Sequence, residues 1–249
     1  MPALDSLSQE YEDRGLDPSD IAEIRRMSGG NLVRFHCALE RRYYGETMSY
    51  IAPSSTFFGR EFLNDRRAYT SNPETEQMVQ MFIDEVPENE TILEAGTGRG
   101  NIAITVALTR PDLRVYATEL VDKSLELAEE NRRIHGAQVT FMLDRYVDYF
   151  PFEVRYMIAD LPYGDKDHML STSPAEELPQ APPESFFHPD GPLAAYEGLI
   201  ASIMNRGWHS QLYFETGPCE KEMVAKIMPK GHSWKYIPLD NYSVTKLRL

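Results

Sequence analysis

The chain has 249 residues, 42% hydrophobic and 26% charged, with a net charge of −14 and a pI near 4.9. That size suits one large domain with a small appendage. No apolar run reaches the ~18 residues of a membrane helix, no basic-then-apolar leader opens the chain and Lys and Arg do not gather into a phosphate-binding surface, so neither a membrane nor nucleic acid is an expected partner and a cytoplasmic location fits.

Residues 1–50 read as a small helical unit. Asp17 is placed to cap a helix beginning at Pro18, since its side-chain oxygen can accept an orphan N–H and Pro suits the first turn. Ser28-Gly29-Gly30 interrupts the pattern, and "NLVRFHCALERRYYGE" resumes it up to Gly45. Residues 51–72 alternate and break as a linker or short hairpin would. A helix is expected from Pro73 onward.

From Thr91 the pattern becomes strand, helix, strand, helix: "TILEAG", "NIAITVALTR", "LRVYATEL", "DKSLELAEENRRIHG", "AQVTFMLD". The strand "VRYMIADL" follows, then a helix, the strand "SQLYFETG" and a further helix. This alternation predicts an α/β domain over 73–249, with a doubly wound, mostly parallel, Rossmann-like sheet. "SWKYIPLDNYSVTKLRL" reads as two strands around an Asp-Asn turn, adding a C-terminal antiparallel edge strand. Residues 164–191 are rich in Pro, Ser and Glu; so long a loop is usually functional or disordered, and its place after "DLPY" makes it a candidate lid. Cys37 and Cys219 lie far apart without metal-type spacing and read as small core residues of a reducing compartment. No pattern speaks to oligomeric state.

The strongest motif is "EAGTGRG", Glu94 to Gly100, between the first core strand and its helix. Open α/β sheets bind ligands at the carboxyl ends of their strands, and glycine lets the backbone approach them closely. The dinucleotide pattern fails here: the third glycine, Gly100, comes one residue early and Asn101 stands in its place. The Lys-Ser/Thr of a Walker loop is absent. Acid-x-Gly-x-Gly-x-Gly instead resembles the S-adenosyl-L-methionine loop of class I methyltransferases, which makes Glu94, Gly96, Thr97, Gly98, Gly100 and Asn101 candidate cofactor residues. Glu119 ends the second strand, where a carboxylate can accept both hydroxyl hydrogens of a ribose. Asp144 ends the third, where an ionised acid can accept from an exocyclic amine. Leu120 and Arg145 follow them as neighbouring candidates. The bland alternatives are a ligand-free glycine turn and solvated strand-end acids.

The fourth strand runs into "ADLPYG". Taken alone this is a turn, since Asp and Pro are ordinary turn residues. With the other motifs beside it, the chain resembles the HemK/PrmC family, glutamine-N5 methyltransferases whose best-known substrates are peptide-chain release factors. The resemblance runs from about Leu39 to the C-terminus, through "LERRYYGETMSYI", "FFGREF", "NPETE", "ILEAGTGRGNIAI" and "FHPDGPLAAYEGL". The family's Asn-Pro-Pro-Tyr falls on Asp160-Leu161-Pro162-Tyr163. The resemblance implies S-adenosyl-L-methionine as cofactor, with Asp160 and the Leu161 carbonyl as acceptors for the methylated nitrogen. It implies Tyr163 as a stacking platform, Phe58 beside the methyl donor, and Glu74 and Thr75 in the cofactor region. Three departures stand out. Asp160 and Leu161 replace Asn and Pro, Asn72 replaces the Arg of Arg-Pro-Glu-Thr-Glu, and the helical unit that helps to dock a release factor is short.

Methyl transfer from a sulfonium is an in-line displacement in which orientation is worth ~7–11 kcal/mol of barrier. An Asn oxygen suits a neutral amide. A buried carboxylate is costly unless a cation relieves it, and a guanidinium fits one by shape and charge. A glutamine- or an arginine-type acceptor, on a protein or a small molecule, therefore remains open. The alternative is an exocyclic amine of a nucleobase, since "LPYG" resembles loops of some guanine-N2 tRNA enzymes, but the acidic composition weighs against it. A cofactor-binding scaffold without activity is disfavoured by the intact glycine loop.

Overall fold

The computed structural model describes residues 2–70, 74–163 and 188–249. The candidate lid lies outside the described residues apart from its last four positions, and so do Asn72 and Pro73.

Four helices open the chain: α1 (Pro2–Asp13), α2 (Pro18–Met27), α3 (Leu32–Tyr43) and α4 (Met48–Ile51). Asp17 caps α2 as its type dictates, accepting from Ser19 N at 2.7 Å. Apolar positions at helical spacing bring Leu4, Tyr11, Ile24, Phe35 and Leu39 into a cluster of their own. The linker forms an antiparallel hairpin, β1 (Ser54–Phe57) and β2 (Arg60–Leu63). Phe58 and Gly59 make its two-residue turn with φ of 51° and 69°, the left-handed pair that such a turn demands. The next helix, α5 (Thr75–Glu85), is followed by β3 (Thr91–Ala95), α6 (Asn101–Thr109), β4 (Arg114–Glu119), α7 (Asp122–His135) and β5 (Val139–Leu143). The chain ends with β6 (Tyr156–Ala159), α8 (Ala194–Asn205), β7 (Gln211–Glu215), α9 (Lys221–Ile227), β8 (Ser233–Pro238) and β9 (Ser243–Arg248).

Seven strands form one sheet in the order β5-β4-β3-β6-β7-β9-β8. The first five are parallel, and β9 and β8 are antiparallel. The final strand inserts between β7 and β8, so it is β8 that forms the edge. Alternate residues of the central strands feed opposite faces. Ile92, Ile158 and Tyr213 pack with α5 and α6, whereas Leu93, Met157, Leu212 and Phe214 pack with α8 and α9. Both faces are thereby covered, which leaves the carboxyl edge of the sheet as the place for a site. Among the described residues no helix is long and apolar enough to cross a membrane.

Candidate active site

The five parallel strands lie side by side as β5-β4-β3-β6-β7, and each brings an acid to its carboxyl end: Asp144, Glu119, Glu94, Asp160 and Glu215 in that spatial order. Glu94 and Glu215 are each 1% exposed, whereas Asp160 is half-buried at the cleft. None of the five forms an ion pair among the described residues.

One cleft collects most of the residues that the sequence singles out. Glu94, Gly96, Thr97, Gly98 and Asn101 line it from the glycine loop. Glu119, Leu120, Asp144 and Arg145 line it from the next two strand ends, and Asp160, Leu161 and Pro162 from the fourth. Phe58, Glu74, Thr75, Gly100 and Tyr163 are not among its lining residues. Phe58 packs against the α5/α6 side of the core, and its N–H donates to Glu76 Oε1 at 2.7 Å. The Glu74 carbonyl accepts from the Tyr242 hydroxyl. Gly100, at φ 85°, begins α6, and a Cβ there would meet Ile104, Ala128 and Phe141 at 3.0–3.2 Å. Thr75 donates to Asp160 Oδ2 at 3.4 Å. Tyr163 lies against Gly217, where an added Cβ would come to 2.3 Å from its ring.

The acids also build the loops that they border. Gly100 has no side chain to cap α6, and Glu94 does so from the strand: its Oε2 accepts from Ala103 N at 2.9 Å and Thr97 Oγ1 at 2.6 Å. Glu119 Oε2 accepts from Gly98 N at 2.8 Å, and its Oε1 accepts from Leu120 N at 2.8 Å and Val121 N at 2.9 Å. Asp144 accepts from Tyr149 N at 3.0 Å. Gly96 N and Thr97 N both donate to the Thr118 carbonyl, at 2.8 and 3.0 Å, which pins the loop to the neighbouring strand. At Gly98, with φ 55°, the position of a Cβ is open space.

Burial sets the protonation of the acids. It pushes Glu94 up to about 8, against the opposing bonds from Thr97 and Ala103. It also raises Glu119 and Asp144 from the ordinary carboxylate value. Asp160 is raised by desolvation, and Glu215 by desolvation and the neighbouring Asp160.

Several site residues had no signal of their own in the sequence. Tyr196 braces the Asp160 loop: its hydroxyl accepts from Leu161 N at 2.8 Å and donates to the Leu161 carbonyl at 3.2 Å. One lone pair of that carbonyl is therefore engaged. Arg99 lines the cleft, yet its guanidinium is buried under the hairpin, with Nη1 donating to Ser55 Oγ at 2.6 Å and Nε and Nη2 without hydrogen-bond partners among the described residues. Desolvation lowers it to about 10. Tyr69 and His188 complete two walls. Arg99 sits at a variable place of the glycine motif, and Glu215 ends its strand much as Glu119 does, a parallel that could have drawn notice.

No protein-family model matches the chain. Among solved structures it is similar to the precorrin-6y C5,15-methyltransferase of Geobacter metallireducens, with a TM-score of 0.50 and 10% identity over 76% of this chain and 93% of that one. It is also similar to the hMettl16 catalytic domain, with a TM-score of 0.55 and 12% identity over 74% and 71%. Fold and relatives together define an S-adenosylmethionine-dependent methyltransferase of class I. Within that class the chain is HemK/PrmC-like. Its curated relatives include release factor glutamine methyltransferases of Staphylococcus aureus, 29% identical over 79% of this chain and 72% of the relative, and of Enterococcus faecalis, 25% identical over 77% and 70%. Another, from Neisseria gonorrhoeae, is 36% identical, and the chain spans about half of it, with coverage of 51% and 49%.

Proposed function

We propose that the chain transfers a methyl group to a planar side-chain nitrogen held at Asp160. The observation that carries this reading is the single cleft in which the glycine loop and the Asp160-Leu161-Pro162 loop face each other. S-adenosylmethionine supplies an electrophilic methyl on a sulfonium, and the row of acids, with no ion pair among the described residues, suits that charge. In this reading Glu119 takes the ribose hydroxyls with lone pairs not used by the loop amides, and Asp144 takes the adenine amine. Glu94, Gly96, Thr97, Gly98 and Asn101 line the methionine portion, with Leu120 and Arg145 flanking the nucleoside. Gly100 sets the entry of α6, and Phe58, Glu74 and Thr75 support the site from the hairpin and α5.

Asp160 and the free lone pair of the Leu161 carbonyl accept the hydrogens of the incoming nitrogen, and Tyr163 offers a flat surface to the planar group. Holding the nitrogen in line is the main catalytic contribution. The relatives' names support a glutamine amide of the release-factor type as acceptor. A guanidine is the second reading, favoured by the carboxyl where the family pattern has an amide.

Transfer of a labelled methyl group from S-adenosylmethionine tests both. Release factor, arginine-bearing peptides, free arginine and bulk tRNA serve as acceptors. Label on a side-chain nitrogen is expected; label only on tRNA would overturn the reading.

A further inference from the structure

Glu215 ends β7, the strand next to the one that delivers Asp160. It is 1% exposed, and its Oε2 has no hydrogen-bond partner among the described residues. In the β6–β7 register Ala159 lies beside Phe214, so Asp160 and Glu215 follow as neighbours at the ends of adjacent strands, and the Thr75 hydroxyl donates to Asp160 Oδ2. Two carboxyls thus stand side by side at the carboxyl edge of the sheet, where the Asp160 loop leaves it. Thr75 has a single hydrogen to donate, so acceptor capacity is left over on both acids. Neighbouring carboxylates, one of them fully buried, resist ionising together unless a cation joins them. The ligand that fits is planar, positively charged and rich in N–H donors, which describes a guanidinium. A neutral amide offers two hydrogens and no charge.

We propose that Asp160 and Glu215 form a two-carboxyl clamp that selects a guanidinium-type acceptor over a neutral amide, with Glu215 as the specificity-determining residue. The proposal rests on the reading of the cleft as a methyl-transfer site. On entry the cation displaces the proton that the empty pair holds. In the transfer step the nitrogen lone pair forms the N–CH3 bond, the S–CH3 bond breaks with its electrons left on sulfur, and the nitrogen's proton passes to Asp160. The methylated guanidinium keeps its positive charge.

The test is calorimetry on the full chain saturated with S-adenosylhomocysteine, with arginine amide and citrulline amide as probes of matched shape and different charge. Titrations in two buffers of different ionisation heat count the protons released. Arginine amide is expected to bind at least ~10-fold tighter than citrulline amide and to release a proton, and Glu215→Gln should bring the two affinities together. Glu215→Asp, which keeps the charge, should retain the preference and controls for folding. Equal binding of the probes by the wild-type chain, or an unchanged preference in E215Q, overturns the clamp. Tighter binding of glutaminamide than of either probe also overturns it while leaving the methyl-transfer reading intact. Failure to bind S-adenosylhomocysteine removes that reading, and the clamp with it.

Discussion

Leu161 covers Gly96: a Cβ built on the glycine would come to 2.4 Å from Leu161 Cδ2. The Asp160-Leu161-Pro162 loop and the glycine loop are therefore in contact through one side chain. Gly96 also has φ 77°, which other residues rarely adopt. Gly96→Ala should cost ~1–3 kcal/mol of stability from overpacking and strain, and weaken S-adenosylhomocysteine binding. Thermal unfolding and calorimetry measure the two effects. An alanine variant with unaltered cofactor affinity would contradict the coupling.

Gly217 plays the matching part for Tyr163. An alanine there would place its Cβ 2.3 Å from Tyr163 Cε2. The ring must shift, and misplacement by ~1 Å costs up to ~100-fold in rate. Gly217→Ala should thus lower the rate of methyl transfer ~10–100-fold with little change in cofactor affinity. Single-turnover kinetics beside a binding titration separate these, and a normal rate would speak against Tyr163 as the platform.

The elevated carboxyl of Glu94 makes stability depend on pH. Its folded value is about 8 against an ordinary 4.5, so between those limits the folded chain holds a proton that the unfolded chain lacks. The contribution is fully present below about 4.5 and is lost as pH rises towards 8. At about 1.4 kcal/mol per unit the loss amounts to a few kcal/mol. Glu94→Gln keeps an acceptor for Ala103 N and Thr97 Oγ1, and should flatten this slope. Urea midpoints at pH 5 and pH 8 in both proteins decide it; parallel slopes would refute it.

Tyr196→Phe removes the hydroxyl that serves both Leu161 N and the Leu161 carbonyl. An unsatisfied buried amide costs ~1–3 kcal/mol. The variant should be destabilised by that amount and should exchange the Leu161 amide hydrogen faster. Exchange at the wild-type rate would mean that the brace is dispensable.

Most of the fold was legible because its signals are local. Both faces of β3 and β6 are buried, so they appear in the sequence as short apolar runs, and the glycine loop announces the first strand–helix turn. The hairpin at Phe58-Gly59 was legible as a break in alternation, but not as a left-handed turn that sets Phe58 against the core. Insertion of β9 between β7 and β8 depends on which edges meet in three dimensions, and no spacing encodes it. The acids at 94, 119, 144 and 160 could be read because motifs flank them. Arg99 could not, and Glu215 only through its parallel with Glu119, since their importance lies in what surrounds them: among the described residues one lacks a hydrogen-bond partner on two nitrogens, the other on Oε2. The structural duties of Glu94 and Glu119 were equally hidden, because they consist of bonds to backbone amides of other loops.

The five acids along the sheet's carboxyl edge bear on turnover as well as on binding. S-adenosylmethionine arrives with a sulfonium charge, and the thioether left after transfer has none. Each catalytic cycle thus removes one positive charge from in front of a fixed row of carboxyl oxygens. The spent cofactor loses an attraction that a fresh molecule still has, and this favours exchange of one for the other without any moving part.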